Sequence, residues 1–252
     1  MTATLTLTPV RSDVAVRRTG PSLPALVGIE VRKSLSHRSG TALAGAAVLL
    51  GPVGIALAAL EAEIGWAAGP IGIAGMLTGM VLLSLGVVST ASEWTHRTVQ
   101  TTFLLVPHRG RVLAAKATAV ALLGAAFAAV SAALSLAVIA VVGVDDVNWD
   151  GTARALVAVV GAGAAFAVTG AGVGAAVANT PAALTALYLL ILGVLPLVRM
   201  GKPELGEKLD PAQATLELAQ GVHGTQSVLV LVGWVVVSSV AGWVLTHRRA
   251  VQ

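Results

Sequence analysis

The sequence contains no cysteine and has few charged and aromatic residues. Only 11% of its 252 residues are charged and 4% are aromatic, whereas 56% are hydrophobic. Soluble domains carry about 25% charged residues, so this chain cannot cover the surface of a water-soluble protein of its size. The absence of cysteine excludes a secreted disulfide scaffold. The composition also excludes a soluble enzyme and a nucleic-acid-binding protein.

What the sequence has instead is long charge-free stretches. Asp, Glu, Lys and Arg are missing from residues 39–60, 64–92, 117–144, 155–198 and 218–247. A membrane-spanning helix needs about 20 apolar residues. The longest stretch can hold two such helices and breaks before Pro181, because proline disfavours helix continuation. The sequence therefore predicts an all-α membrane protein with six transmembrane helices in residues 39–247, at about 41–60, 70–92, 114–142, 154–178, 181–198 and 227–246.

The distribution of lysine and arginine predicts the orientation of these spans. Six spans place both termini on one side, and cytoplasmic loops carry an excess of Lys and Arg. Twelve of the 16 basic residues lie on the side of the termini: Arg11, Arg17, Arg18, Arg32, Lys33, Arg38, Arg97, Arg109, Arg111, Lys116, Arg248 and Arg249. The other four are Arg154, Arg199, Lys202 and Lys208. We expect a multi-pass protein of the cell (plasma) membrane with cytoplasmic termini, residues 248–252 forming a short tail.

Two N-terminal segments precede the first span. Residues 1–20 are Thr-rich and basic, which is typical of a flexible cytoplasmic tail. Residues 21–38 have apolar side chains at helical spacing, with a capping Ser22 and Pro24 in the first turn. This pattern predicts an amphipathic interfacial helix on the inner leaflet; the alternative is a partly ordered basic tail. The residues that define the helix are Leu23, Leu26, Val27, Val31 and Leu35 on the apolar face, with Arg32 and Lys33 elsewhere.

Pairs of glycines four residues apart occur in two of the predicted spans. Gly75 and Gly79 form one pair, and Gly170 and Gly174 form the other. Small residues at this spacing let helices approach closely. We interpret both pairs as packing within the bundle; the alternative is a seam between two copies.

The segment between spans two and three, residues 93–116, concentrates charge at both ends. Its middle, residues 99–106, is apolar and Thr-rich. Charges are costly at membrane depth, about 2.5–3.5 kcal/mol each on an insertion scale, so the ends belong in water or in a protein interface. An apolar middle between two charged ends suits docking of a partner protein. The alternative is a basic loop that binds anionic lipid.

This segment resembles the permease subunits of ABC-2 type ATP-binding-cassette transporters, particularly the small actinobacterial-style ones. The residues that carry the resemblance are Glu93, Trp94, Arg97, Thr98, Thr101, Thr102, Pro107, Arg109, Arg111 and Lys116. His96 and Arg97 stand where many relatives have a glycine before the threonine. The resemblance implies that the interfacial helix and residues 93–116 form the surface that receives a separate cytoplasmic ATPase.

Two functional hypotheses follow. The first is a membrane-spanning permease subunit of an ATP-driven exporter, paired with a second copy or a paralogue and with ATPase subunits. The chain has no P-loop sequence, so we expect no enzyme activity, catalytic residue, metal or cofactor on this chain, and ATP and Mg²⁺ on the partner subunit. Membrane lipid is the other expected partner, and nucleic acid is not expected. The second hypothesis is a non-transporting membrane anchor or sensor that recruits a cytoplasmic partner.

A short helix is predicted outside the membrane before the last span. Asp210 suits the N-cap, Pro211 the first helical position, Gln213 the third and Gly221 the position after the end. A helix of about ten residues is too short to cross a bilayer. We expect it to cover the outer mouth as a partly re-entrant element; the alternative is a simple extracellular spacer.

Overall fold

The computed structural model describes residues 21–96, 98 and 109–249. The described residues form nine helices joined by short connections. In chain order they are α1 (Leu23–Ser36), α2 (Arg38–Ala58), α3 (Ala68–Thr95), α4 (Arg109–Val142), α5 (Thr152–Val177), α6 (Thr180–Gly201), α7 (Pro203–Leu209), α8 (Pro211–Gln220) and α9 (Gly224–Arg248). Helix α6 contains a π-helical segment at Leu189–Val194.

Six of the described helices, α2 to α6 and α9, are long and apolar enough to cross a membrane. This confirms the prediction of a helical protein with six spans. The bounds of five spans lie within three residues of the expected ones. The exception is α4, which begins at Arg109 rather than at 114 because its first turn includes the basic residues that the sequence assigned to the preceding segment.

The long charge-free stretch divides where proline predicted it. Ala178 ends α5 in the left-handed conformation, with φ at 58°. The Asn179 side chain then accepts a hydrogen bond from the Ala182 backbone N–H at 2.9 Å and caps α6, and Pro181 lies in the first turn. The proline cannot continue α5, and the asparagine starts a new helix at once.

Helix α3 is the most buried span and packs along α5. A Cβ atom added at Gly75 or Gly79 would collide with side chains of α5, and one at Gly170 or Gly174 would meet the backbone of α3. Both glycine pairs therefore lie in the contact between these two helices. The interpretation as internal packing is confirmed.

Helix α5 also contacts α4 and α9 through glycine. A Cβ atom at Gly124 of α4 would lie 2.5 Å from the Gly163 carbonyl oxygen, and one at Gly242 of α9 would lie 2.6 Å from the Gly172 carbonyl oxygen. Because each of these positions has no side chain, α5 can pack against three helices at backbone distance. It forms the centre of the bundle together with α3.

One end of the bundle is closed by connections and by α8. The connections 59–67 and 143–151 pair through the Asn148 N–H, which donates to the Gly65 carbonyl at 2.9 Å. The Asp210 carboxylate accepts from the backbone N–H groups of Ala212 and Gln213 at 2.9 and 3.2 Å and caps α8. Arg154 donates to the Gln220 carbonyl at 2.9 Å and thereby holds the other end of the same helix. The helix expected from residues 210–221 thus has the expected bounds.

Candidate functional site

The opposite end of the bundle is basic. Helix α3 ends there, α4 begins there, α9 ends there and α1 packs against it; we call it the basic end. Side chains of α1, α3 and α4 meet at this end in a cluster of four charges: Glu30, Lys33, Glu93 and Lys116. We call these four residues the charge cluster.

One face of helix α1 packs against the bundle. Leu26 is buried against Val112 and Ala115 of α4, and Val27 lies beside this contact. Glu30, one helical turn after Leu26, is also buried. This acidic residue on an otherwise apolar stripe faces the bundle, where Lys116 of α4 offers it a cation.

The remaining predicted residues of α1 divide between the core and the surface. Val31 and Leu35 are half-buried against the main hydrophobic core. Leu23 is 41% exposed, and Arg32 is exposed. The expected helix is therefore present, and its most buried face packs against α4.

Lys116 is the centre of the charge cluster. It is only 4% exposed, and an ammonium group has three hydrogens to donate. It donates to Glu93 Oε1 at 3.0 Å, to the Ser89 carbonyl oxygen at 3.0 Å and to Glu30 Oε2. All three donors are satisfied by α1 and α3, so a single side chain of α4 joins the three helices.

Lys33 completes the cluster from its more exposed side. Its Nζ donates to Glu30 Oε1 at 2.8 Å and pairs with Glu93 Oε1. The Glu30 and Glu93 residues are 5% and 8% exposed. Two buried carboxylates thus face two ammonium groups, and the cluster as a whole is neutral. Buried charges persist only when they are paired and hydrogen-bonded in this way.

The two members that lie on α1 have shifted pKa values. Burial alone would raise the pKa of the Glu30 carboxyl, but the charges and hydrogen bonds of Lys116 and Lys33 lower it below its ordinary value. Burial alone would lower the pKa of Lys33, but its hydrogen bonds to Glu30 and Glu93 raise it above the ordinary value. Both groups are therefore held in their charged forms at neutral pH.

Two arginines form a second network at the basic end, which we call the arginine bridge. Arg109, at the start of α4, donates to the carbonyl oxygens of Thr246 and Arg249 at 3.1 and 2.9 Å. Arg249, after the end of α9, donates to the carbonyl oxygens of Ala175 at 2.8 Å and of Ala176 at the end of α5. Cations at helix C-termini satisfy the last carbonyl groups and the negative end of the helix dipole.

Trp94 connects the arginine bridge to α3. The Arg249 guanidinium lies over the Trp94 ring, 5.3 Å from its centroid, which is within the range of a cation–π interaction. Glu93 and Trp94 are neighbours in the last turn of α3. One of them contacts the charge cluster and the other contacts the arginine bridge, so the two networks meet at this turn.

The structure describes six of the ten predicted coupling residues, and four of these six belong to the two networks. Glu93 and Lys116 belong to the charge cluster, while Trp94 and Arg109 belong to the arginine bridge. The Thr98 hydroxyl donates to the Glu93 carbonyl oxygen at 3.4 Å, and Arg111 is exposed in the first turn of α4. The other four, Arg97, Thr101, Thr102 and Pro107, lie outside the described residues.

The sequence analysis missed two residues of this site, Glu30 and Arg249. Glu30 had a usable signal, because it follows Leu26 by one turn and so falls on the apolar stripe. Arg249 had none, since a basic residue after the last span is expected from topology alone. Its role depends on the end of α5, 73 residues earlier in the chain.

The arrangement joins the ends of several helices through hydrogen bonds and ion pairs. In residues 21–96, 98 and 109–249, no group of three His, Asp or Glu side chains is placed to hold a metal ion. The helix ends on both sides of the segment 97–108 are attached to the bundle. Glu93 and Trp94 make the contacts before the segment, and Arg109 makes them after it. A force applied to this segment reaches α1 and the ends of α4, α5 and α9 through hydrogen bonds and ion pairs. No protein-family model and no curated protein matches the sequence.

Proposed function

We propose that this chain is the membrane-spanning permease subunit of an ATP-driven ABC exporter. The proposal combines the resemblance of residues 93–116 to ABC-2 permeases with six spans and a basic end. In this proposal the chain pairs with a second copy or a paralogue and lies in the cell membrane with cytoplasmic termini. Helix α1 lies at the inner membrane surface and α8 covers the outer mouth.

The observation that carries the proposal is the attachment of both ends of the segment 97–108. A loop that only fills the space between two spans needs no such attachment. Here Glu93, in the last turn of α3 before the segment, binds Lys116, and Arg109, directly after the segment, binds the end of α9. A cytoplasmic ATPase that docks on this segment and on α1 would therefore move α3, α4 and α9 as one unit, a rigid-body change of the kind that alternating access requires.

The orientation has a direct test, because the chain has no native cysteine. Single cysteines are placed at Arg38, at the basic end, and at Lys202, at the other end. We expect a membrane-impermeant maleimide added to intact cells to label the Lys202→Cys variant, and the Arg38→Cys variant only after the membrane is opened. The reverse pattern would refute the proposed orientation.

The partner is tested by purification of the tagged full chain from its native host in mild detergent. Mass spectrometry of the bound proteins is expected to show a P-loop ATPase in near-stoichiometric amount. Glu93→Gln and Arg109→Gln should reduce its recovery or its ATP hydrolysis, and both variants should still insert in the membrane. Arg248→Gln is the matched control, because Arg248 is an exposed charge at the same end, outside both networks and outside α1.

Each result decides between the two functional hypotheses. Loss of the ATPase in the Glu93 and Arg109 variants and its retention in the control support the permease. A chain that binds a kinase or another regulator in place of an ATPase supports the anchor or sensor. Unchanged ATPase recovery and hydrolysis in both variants would refute the coupling role of the two networks.

A further inference from the structure

A groove opens between α4 and α9, above the arginine bridge. The two helices make few contacts with each other, and both pack against α5. Between them lies a half-open cavity of about 310 Å³. We call it the α4–α9 groove. Most of its lining is apolar and includes Leu113 and Ala114 of α4, Gly172 and Ala175 of α5, and Val240 and Trp243 of α9. The polar lining residues are Thr90, Lys116 and Ser239.

A cation lies next to the basic end of the groove. Gly110, in the first turn of α4, and Trp243, near the end of α9, line the groove. Arg109 precedes Gly110, and its guanidinium donates to the carbonyl oxygen of Thr246, three residues after Trp243. This guanidinium group therefore joins the two helices beside the basic end of the groove.

The charge around this mouth is positive. Helices α4, α5 and α9, which form the walls of the groove, contain no Asp or Glu, whereas α3, which contributes Thr90 to the lining, carries Glu93. The carboxylates of Glu30 and Glu93, which belong to α1 and α3, are matched by the two lysines of the charge cluster. The guanidinium groups of Arg109, Arg111 and Arg249 add to this neutral cluster, and they attract an anion.

We propose that the α4–α9 groove is a binding site for an anionic phospholipid, with one acyl chain in the groove and the phosphate at the Arg109 end. Basic pockets between transmembrane helices recognise anionic head groups in this way. The apolar lining suits the acyl chain, and its volume lies at the lower end of the range of about 300–1,000 Å³ found for small-ligand pockets.

The shape of the groove suits an occupant narrower than a helix. A helix with its side chains is about 10 Å across, whereas an extended acyl chain is narrower and can lie lengthwise between α4 and α9. A helix of a second copy is the other possible occupant, and the quenching experiment below distinguishes the two.

Trp243 provides a reporter for the site, because it lines the groove and is 52% exposed. The full chain is reconstituted in phosphatidylcholine vesicles that contain increasing fractions of brominated phosphatidylglycerol or brominated phosphatidylcholine. Bromine quenches tryptophan fluorescence on contact, and the difference between wild type and Trp243→Phe isolates the signal of Trp243. We expect phosphatidylglycerol to bind about five-fold or more tightly than phosphatidylcholine, the factor for one basic side chain near a phosphate.

Two variants of α4 test the position of the site. Ala114→Phe fills the groove, and we expect it to bring the preference for phosphatidylglycerol close to one. Ala126→Phe adds the same side chain to an exposed position on the same helix outside the groove lining, and we expect it to keep the preference. The preference should also fall at high salt, because screening weakens a charge contact near water.

Three results would overturn the proposal. They are equal binding of the two lipids in the wild type, an unchanged preference in Ala114→Phe, and a Trp243 signal that neither lipid quenches. The last would show that protein covers the groove. A chain that serves as an anchor or sensor would keep the same lipid site, so this measurement and the ATPase capture can fail independently.

Discussion

Replacement of Lys116 by methionine should destabilise the protein strongly at neutral pH. Methionine keeps the unbranched shape of the lysine stem and removes only the charge and the three donors. The buried carboxylates of Glu30 and Glu93 then share Lys33, whose side chain is 37% exposed. Removal of one partner from a buried charge pair costs about 3–5 kcal/mol.

The protonation of a carboxyl group limits this cost. At pH 7 an ordinary glutamate with a pKa of about 4.3 is protonated at a cost of about 3.7 kcal/mol. The loss in Lys116→Met is therefore about 3–4 kcal/mol at pH 7. At pH 5 protonation costs only about 1 kcal/mol, and the variant should differ from wild type by about that amount. For a chain of this length the loss at pH 7 corresponds to a fall in melting temperature of roughly 6–16 °C.

The assay is thermal unfolding of the detergent-solubilised full chain at pH 7 and pH 5. Lys208→Met is the control, because Lys208 is an exposed lysine at the opposite end, and it should change the melting temperature little. The double variant Lys116→Met with Glu30→Gln leaves one carboxylate and one ammonium, so it should be more stable than Lys116→Met at pH 7. A loss below about 1 kcal/mol at pH 7, or an equal loss at both pH values, would refute the account of the charge cluster.

Three further outcomes are expected from the same melting assay. The lowered pKa of Glu30 contributes stability above the pKa of the unfolded chain, about 4.3; this stability is lost as the pH falls through the folded value, and Glu30→Gln should flatten that acid limb. Gly170→Ala should destabilise by about 1–3 kcal/mol because its Cβ meets the α3 backbone, whereas Gly161→Ala, with open space around the added Cβ, should be neutral or stabilising; equal effects would contradict the packing of α3 on α5. Arg249→Ala should lower the free energy of unfolding by about 1.5–3 kcal/mol, because it removes charged hydrogen bonds. The control is Arg248→Ala, which replaces the exposed neighbouring arginine; a loss in Arg249→Ala no larger than in this control would contradict the capping role.

The spans could be predicted from the sequence because they follow from composition alone. Charge-free stretches of sufficient length define where a helix can cross a bilayer, and some helix ends carry a local signal. Asn179 with Pro181 and Asp210 with Pro211 are such signals, because each acts within three or four residues of itself. Local signals of this kind survive in the folded chain without any knowledge of the tertiary structure.

The charge cluster could not be predicted because its contacts are distant in sequence. Glu30 and Lys116 are 86 residues apart, and Glu93 and Lys116 are 23 apart. In the sequence, Glu30 reads as the local partner of Lys33 three residues later, an ordinary exposed pair. The position of Glu30 on the apolar stripe instead indicates a buried carboxylate, but no local pattern identifies Lys116 as its partner.

The burial of Glu30 explains why α1 packs on the bundle. The apolar stripe of α1 alone does not decide its place, because lipid tails are as apolar as the surface of α4 and give no hydrophobic drive toward the protein. The Glu30 carboxylate favours the bundle, since its charge is costly in the apolar part of a bilayer and since Lys116 of α4 is added there to Lys33 of the same helix. Because Lys116 also binds Glu93, the position of α1 depends on the last turn of α3, where the segment 97–108 begins. Anything that moves this turn changes how well Glu30 is matched, and so it changes the balance between α1 on the bundle and α1 released from it.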